Sequence, residues 1–201
     1  KNSDYSKIFD KLNLPKEKKI IFYPATFWAH KNHKYIIETA SILRSKKNEE
    51  YIFVFAGQDK GNLIHIKDNI KQLELNSLIK ILPFLSNDEI ISLYLNSFSI
   101  IMPTTGGPTN LPLYESFYFQ KPIYYSAHLI KDEKIKKNII GIDINNPKDF
   151  YQKLITMDND LINKYTKNSK ALYNEICSEE NFKNLYSLIF EQFDSIKKKW
   201  K

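Results

Sequence analysis

The chain has 201 residues and a formal net charge of +7 at pH 7, with 30 lysines and arginines against 23 aspartates and glutamates. Aromatic residues make up 14% of the sequence, too many for a disordered segment, and a single cysteine excludes an internal disulfide and a multi-cysteine metal site. Arg44 is the only arginine, which argues against nucleic acid as a partner, because phosphate readers favour arginine. Without a membrane-spanning apolar run or a signal segment, we expect a cytoplasmic protein, and the first residue, Lys1, indicates a fragment of a longer chain.

Apolar segments of strand length alternate with longer segments of helical period. The predicted strands are 19–26, 51–57, 79–83, 98–103, 122–126 and 139–144. Helices are predicted over 35–47, 62–75, 87–96 after a capping box, 111–120, from 146 onward, and over 160–199 with a break near Cys177. This alternation with short connections predicts an α/β fold, a Rossmann-like doubly wound parallel sheet of about six strands.

The loop after the fourth predicted strand, residues 104–110, contains two of the five glycines and leads directly into a helix. Backbone N–H groups at a helix N-terminus bind anions, and glycines allow a phosphate to approach the backbone closely. Glu115 follows in the first helical turn. It either complements the helix dipole or accepts hydrogen bonds from a ribose diol, and the residues by themselves leave both readings open.

The loop after the first predicted strand brings together Trp28, His30, Lys31 and His33. A cation just before a helix is unfavourable for the helix dipole, so Lys31 indicates an anionic partner. The two histidines either cap and pack the helix or ligate zinc. Because no third ligand has matching spacing, no metal site is predicted. The polar segment 57–62 is interpreted as a plain turn.

Residues 23–33 (YPATFWAHKNH) and 103–115 (PTTGGPTNLPLYE) together resemble glycosyltransferase family 4, the retaining nucleotide-sugar transferases with a two-domain GT-B fold. The resemblance extends over about residues 20–190 and corresponds to the C-terminal, donor-binding half of those enzymes. It implies an N-terminal helix and interdomain tether at 1–18 and a Rossmann-like nucleotide-sugar-binding domain at 19–159. Residues 160–201 would form helices that pack back toward an acceptor domain absent from this sequence.

The resemblance also implies roles for individual residues. Lys31 matches the lysine that contacts the donor diphosphate, and Glu115 matches the acid that binds the ribose hydroxyls, so these two are the candidate catalytic residues. The candidate donor-binding residues are Thr26, Lys31, Pro83, Phe84, Gly107, Thr109, Asn110, Leu111 and Glu115. Within this set Pro83 and Phe84 would line the nucleobase, and the backbone of 109–111 would hold the distal phosphate and the sugar.

Three positions depart from the family pattern. Gly107 replaces an acid near the transferred sugar, Thr26 replaces a second basic residue, and Ala127 replaces an aspartate after the fifth strand. The implied function is that of the donor domain of a hexosyltransferase, inactive without its acceptor domain. The departures motivate an alternative, a non-catalytic nucleotide-sugar-binding subunit or a relic.

The expected partners follow from the same resemblance. They are a nucleotide sugar, with a GDP-mannose-like donor favoured, and a polysaccharide or lipid-linked glycan acceptor. No metal or other cofactor is expected. The lysine-rich end, residues 197–201, is interpreted as a solvated tail, and the alternative is a peripheral contact with the inner face of a membrane.

Overall fold

Six parallel strands form one sheet in the order β3-β2-β1-β4-β5-β6 in the computed structural model, which describes residues 4–106 and 110–198. The strands are β1 (Lys19–Pro24), β2 (Tyr51–Ala56), β3 (Ile79–Ile81), β4 (Ser99–Met102), β5 (Ile123–Ser126) and β6 (Ile140–Ile142). The predicted Rossmann-like α/β fold with a six-stranded parallel sheet is confirmed.

Helices connect and cover the strands. Within the described residues they are α1 (Tyr5–Asp10), α2 (His33–Ser45), α3 (Leu63–Gln72), α4 (Asn87–Asn96), α5 (Leu111–Tyr118), α6 (Glu133–Lys136), α7 (Pro147–Ile155), α8 (Asn159–Thr166), α9 (Ser169–Ile176) and α10 (Glu179–Lys198). The predicted break near Cys177 is confirmed, and a second break at 167–168 divides the preceding segment. None of the described helices is long and apolar enough to cross a membrane.

The centre of the sheet is buried on both faces. All six residues of β2 are buried, as expected for a parallel strand covered by helices on either side. It pairs with β1 along its full length, from Lys19 opposite Tyr51 to Pro24 opposite Ala56. Gly57 follows at a point where the two chains converge, because a Cβ atom there would lie 2.1 Å from the carbonyl oxygen of Ala25. Only glycine fits this position without a shift of the backbone.

Local sequence explains where the helices begin. The Ser86 hydroxyl accepts the N–H of Glu89, whose carboxylate accepts the N–H of Ser86 at 2.7 Å, so the predicted capping box opens α4. Asn146 caps α7 and Pro147 occupies its first turn, also as predicted. Five of the six strands end one or two residues earlier than predicted, because their carboxyl-end residues leave the ladder to form the loops, and β5 ends at Ser126 as predicted.

The chain reverses its winding direction between β1 and β4. From β1 it proceeds outward to β2 and β3, then returns to place β4 on the other side of β1. In open α/β sheets ligands bind at the carboxyl ends of the strands beside such a switch point. The loops that follow β1 and β4 therefore define the place to search for a site.

Candidate functional site

The loops after β1 and β4 are joined to each other by hydrogen bonds. The N–H of Thr105 donates to the carbonyl oxygen of His30 at 2.9 Å, and the Thr104 hydroxyl lies 3.0 Å from the same oxygen. On the other side the Ser126 hydroxyl, at the end of β5, donates to the carbonyl oxygen of Thr104 at 2.7 Å. Three neighbouring strands thus brace one another at the switch point, and the two motifs singled out in the sequence are adjacent in space.

Lys31 ends a short 3₁₀ turn, Ala29–Lys31, directly before α2. Its side chain is partly buried, which lowers the pKa of the ammonium group, and it forms no ion pair with any described residue. The hydroxyl of Tyr23, a buried residue of β1, donates a hydrogen bond to the backbone carbonyl oxygen of Lys31. A partly desolvated cation on a braced backbone, with no acidic partner in the part of the chain that the structure describes, fits an anionic ligand.

His33 is a packing residue. Its ring is 1% exposed, stacks on Phe27 with centroids 4.9 Å apart, and contacts Tyr23 and Phe55. Neither ring nitrogen has a hydrogen-bond partner among residues 4–106 and 110–198. Burial, reinforced by the charge of Lys31, lowers the pKa of His33 to about 3 and keeps the ring neutral. The described residues contain no cluster of three histidine, cysteine, aspartate or glutamate side chains that could hold a metal ion.

No side chain of a described residue caps the N-terminus of α5. Asn110 occupies the cap position, but its side-chain amide donates to the Tyr125 hydroxyl instead of accepting from the helix N–H groups. The next residue, Leu111, is 62% exposed. Pro112 has no N–H and the N–H of Leu113 donates to the carbonyl oxygen of Asn110, so the N–H of Leu111, which has no hydrogen-bond partner among the described residues, is the donor that this turn offers an anion. The candidate residues Gly107 and Thr109 lie outside the described residues.

The carboxylate of Glu115 accepts a hydrogen bond from a buried tyrosine. Its Oε2 atom accepts a hydrogen bond of 2.6 Å from the hydroxyl of Tyr94, which is fully buried on α4 and stacks on Phe119. The side chain of Glu115 remains partly exposed. The sequence suggested dipole complementation or a ribose contact but gave no signal of this tyrosine, which is 21 residues away.

Pro83 and Phe84 lie at a cavity of about 650 Å³ beside the carboxyl ends of β1, β2 and β3. Its lining is Phe27, Gly57, Gln58, Asp59, Leu63, Lys67, Ile81, Leu82, Pro83 and Phe84. Phe84 is 80% exposed, an unusual position for a phenylalanine and a suitable one for stacking on a planar ligand. Interpreting 57–62 as a plain turn missed that this segment forms a wall of the cavity. Thr26, the remaining candidate, is partly buried in the loop after β1.

A model of the family described as glycosyl transferases group 1 matches residues 4–172. The chain belongs to this family. The match includes the loops after β1 and β4 and the cavity wall. No curated protein matches the chain.

Solved structures of glycosyltransferases share the fold. A glycosyltransferase from Rickettsia africae ESF-5 is 19% identical with a TM-score of 0.78, and the match covers 96% of this chain and 52% of that one. The C-terminal domain of a glycosyl transferase group 1 family protein (LpcC) from Francisella tularensis is 17% identical with a TM-score of 0.70, over 89% of this chain and 93% of that one. Anabaena Alr3699/HepE in complex with UDP is 14% identical with a TM-score of 0.74, over 97% and 53%. The chain therefore spans about half the length of the Rickettsia and Anabaena proteins.

The fold thus brings the predicted residues to one edge of the sheet, in two groups. Lys31, Asn110, Leu111 and Glu115 belong to the loops and helix starts around β1 and β4, while Pro83 and Phe84 belong to the cavity beside β3. Phe27, in the loop after β1, lines that cavity and stacks on His33, two residues from Lys31. This glycosyl transferases group 1 chain therefore carries a cation, an open helix N-terminus and an aromatic-lined cavity along one edge.

Proposed function

We propose that the chain is the donor-binding half of a retaining glycosyltransferase and binds a nucleoside-diphosphate sugar, with a GDP-mannose-like donor favoured. The observation that carries the proposal is the partly buried Lys31, which pairs with no described acid, in a loop hydrogen-bonded to the loop after β4 at the switch point of the sheet. An ammonium group and a helix N-terminus on one edge match the charge of a diphosphate. Membership of the glycosyl transferases group 1 family supports the same assignment.

The proposed catalysis is electrostatic. As the bond from the sugar to the diphosphate breaks, negative charge grows on the leaving phosphate. Lys31 and the N–H of Leu111 at the start of α5 stabilise that charge without any metal ion. Glu115, with Oε2 held by Tyr94, directs its carboxylate toward the ribose hydroxyls. The sugar passes to an acceptor hydroxyl with retention of configuration, in a polysaccharide or lipid-linked glycan.

The acceptor would be held by a second half, outside the 201 residues described by this sequence. The chain spans about half of the Rickettsia and Anabaena structures, and α10 has no buried residue among those described, although six large apolar side chains lie along one face. These side chains are Phe182, Leu185, Tyr186, Ile189, Phe193 and Ile196 and are called the α10 stripe below. We propose that the acceptor-binding half covers the α10 stripe, and that the 201-residue chain binds donor but transfers nothing alone.

Calorimetric titration of the chain with GDP, UDP and ADP tests the donor site. Lys31→Met removes the cation proposed to contact the diphosphate, and Glu115→Ala removes the carboxylate proposed to accept hydrogen bonds from the ribose. Each variant is expected to bind the preferred nucleotide at least about tenfold more weakly, a loss of ~1.4 kcal/mol of binding free energy. The matched controls are Lys34→Met and Glu180→Ala, exposed side chains of the same charge outside the site. EDTA is expected to leave binding unchanged.

The outcomes separate the candidates. Failure of all three nucleotides to bind would overturn the donor site. Nucleotide binding with full transfer by the 201-residue chain would overturn the need for a second half. The replaced family positions Gly107, Thr26 and Ala127 favour a second candidate, a non-catalytic nucleotide-sugar-binding subunit. That candidate predicts binding without transfer even when an acceptor-binding half is supplied.

A further inference from the structure

Two ring side chains in the loop after β1 have no part in the proposed diphosphate and ribose contacts. The indole of Trp28 lies against the imidazole of His30, with ring centroids 5.1 Å apart and the ring planes tilted by 43°. Trp28 is 45% exposed, whereas Phe27 directly before it is buried. These two side chains are called the Trp28–His30 platform below.

The backbone that carries the platform is fixed on three sides. The N–H of Phe27 donates to a carbonyl oxygen of the loop after β2 at 2.8 Å, and the carbonyl oxygen of His30 accepts the N–H of Thr105 from the loop after β4 at 2.9 Å. The carbonyl oxygen of Lys31 accepts the hydroxyl of buried Tyr23. Exposed rings on a fixed turn form a preorganised surface, so a ligand that binds there orders little additional chain.

The platform is continuous with Lys31. The N–H of Lys31 donates to the carbonyl oxygen of Trp28 at 3.1 Å, which closes the turn between them. Partial burial lowers the pKa of the His30 imidazole, and the charge of the Lys31 ammonium group lowers it further, which places that charge near the ring. The surface therefore runs from ammonium group to imidazole to indole. A group attached to a phosphate at Lys31 lies within reach of the two rings.

The chemistry of the platform fits a sugar ring. At neutral pH the His30 imidazole is neutral and has one donor and one acceptor nitrogen, and neither has a hydrogen-bond partner among the described residues. The indole of Trp28 presents an apolar face. A pyranose has an apolar face of C–H groups and a rim of hydroxyl groups that both donate and accept, so one ring of each kind matches one part of it.

We propose that the Trp28–His30 platform binds the transferred sugar of the donor, with the indole packed on the C–H face of the pyranose and the imidazole hydrogen-bonded to one of its hydroxyl groups. The inference rests on the proposed function and adds a contact to the part of the donor beyond the diphosphate. A sugar of the acceptor has the same chemistry, but only the donor sugar is joined to the phosphates proposed to lie at Lys31.

Calorimetric titration with GDP and GDP-mannose, and with UDP and UDP-glucose, tests the proposal, because the second member of each pair carries the additional sugar. Trp28→Ala is expected to weaken the nucleotide sugar at least tenfold and the matching nucleoside diphosphate less than twofold. Trp28→Phe keeps an aromatic face and is expected to restore most of the lost affinity. His30→Ala is expected to weaken the nucleotide sugar several-fold and to leave the nucleoside diphosphate unchanged.

Matched variants separate the sugar from the rest of the donor. Phe84→Ala, at the cavity beside β3, is expected to weaken both members of a pair by the same factor. His65→Ala, an exposed position on α3, is expected to change neither. Trp200→Phe leaves Trp28 as the single tryptophan of the chain. Its emission is expected to move to shorter wavelength with the nucleotide sugar and to stay in place with the nucleoside diphosphate.

Failure of this inference is distinguishable from failure of the proposed function. Equal weakening of both members of a pair in Trp28→Ala would show that the side chain supports the turn at Lys31 and would overturn the platform. Unchanged binding of both members would also overturn it and would leave Trp28 to an acceptor sugar or another partner, while the nucleotide site stands. No binding of any nucleotide to the wild-type chain would overturn the proposed function and this inference together.

Discussion

Helices α2 and α10 have the same kind of amphipathic sequence and opposite environments. In α2, seven residues are buried, including Tyr35, Ile36, Ala40 and Leu43, which belong to the hydrophobic core, and the helix packs against α7. In α10 none is buried, and every member of the α10 stripe is at least 47% exposed. An apolar stripe predicts that a helix face will be covered, but its position relative to the sheet decides what covers it.

The largest expected difference is in the stability lost when a phenylalanine is replaced in the packed region, meaning the sheet and the helices buried against it, or in α10. Phe53, fully buried in β2 against Phe150, leaves a cavity when replaced, so Phe53→Ala is expected to lower the free energy of unfolding by about 3–5 kcal/mol. Phe193→Ala, on a half-exposed side chain of α10, is expected to change it by at most about 0.5 kcal/mol. Urea unfolding followed by tryptophan fluorescence measures both. Equal losses would mean that α10 belongs to the packed region.

Acid is expected to destabilise the packed region through His33. The folded-state pKa of about 3 lies below the ordinary value of 6.5, so the unfolded chain binds a proton that the folded chain does not. The contribution of His33 is complete above pH 6.5 and falls by about 1.4 kcal/mol per pH unit between there and pH 3. Urea unfolding at pH 7, 6 and 5 measures the free energy of unfolding of the wild type and of His33→Phe. The variant is expected to lack the part of the pH dependence that His33 contributes.

The matched control for His33 is His65→Gln, an exposed position on α3, which is expected to keep the full wild-type slope. A chain ending at Ser178 is expected to keep it too, because residues 179–201 contain no histidine. A parallel slope in His33→Phe and the wild type would show that His33 titrates normally.

The smallest expected difference in stability is between the loss of two helix-capping serines. Ser86 caps α4, and the Ser178 hydroxyl accepts the N–H of Asn181 at the start of α10. Ser86→Ala is expected to cost about 1 kcal/mol of global stability. Ser178→Ala is expected to reduce far-ultraviolet helicity and leave the unfolding midpoint in place, since α10 can fray by itself. A shifted midpoint in Ser178→Ala would contradict the independence of α10.

Features of this protein that depend on residues close together in the sequence could be predicted, and features that depend on distant residues could not. The strands, the capping box and the helix break near Cys177 depend on neighbouring residues, and the periodicity placed them to within a few residues. The loops after β1 and β4 could also be selected, because glycines, a proline and the misplaced charge of Lys31 are local signals. Asp59 and Lys67 could not, since a turn and an exposed helical lysine look ordinary until Pro83 and Phe84 close the cavity beside them.

The sequence by itself determined the parallel α/β sheet and singled out the loops after the first and fourth strands, because alternating periodicity and short connections permit few topologies and the signals in these loops are local. Tertiary structure alone decided that Tyr94 donates a hydrogen bond to Glu115, that buried His33 has no hydrogen-bond partner among the described residues, and that the segment after β2 lines the same cavity as Phe84. These contacts join residues from different strands and helices. Strand order and register decide which of these residues become neighbours in space. The number of residues between them in the sequence does not.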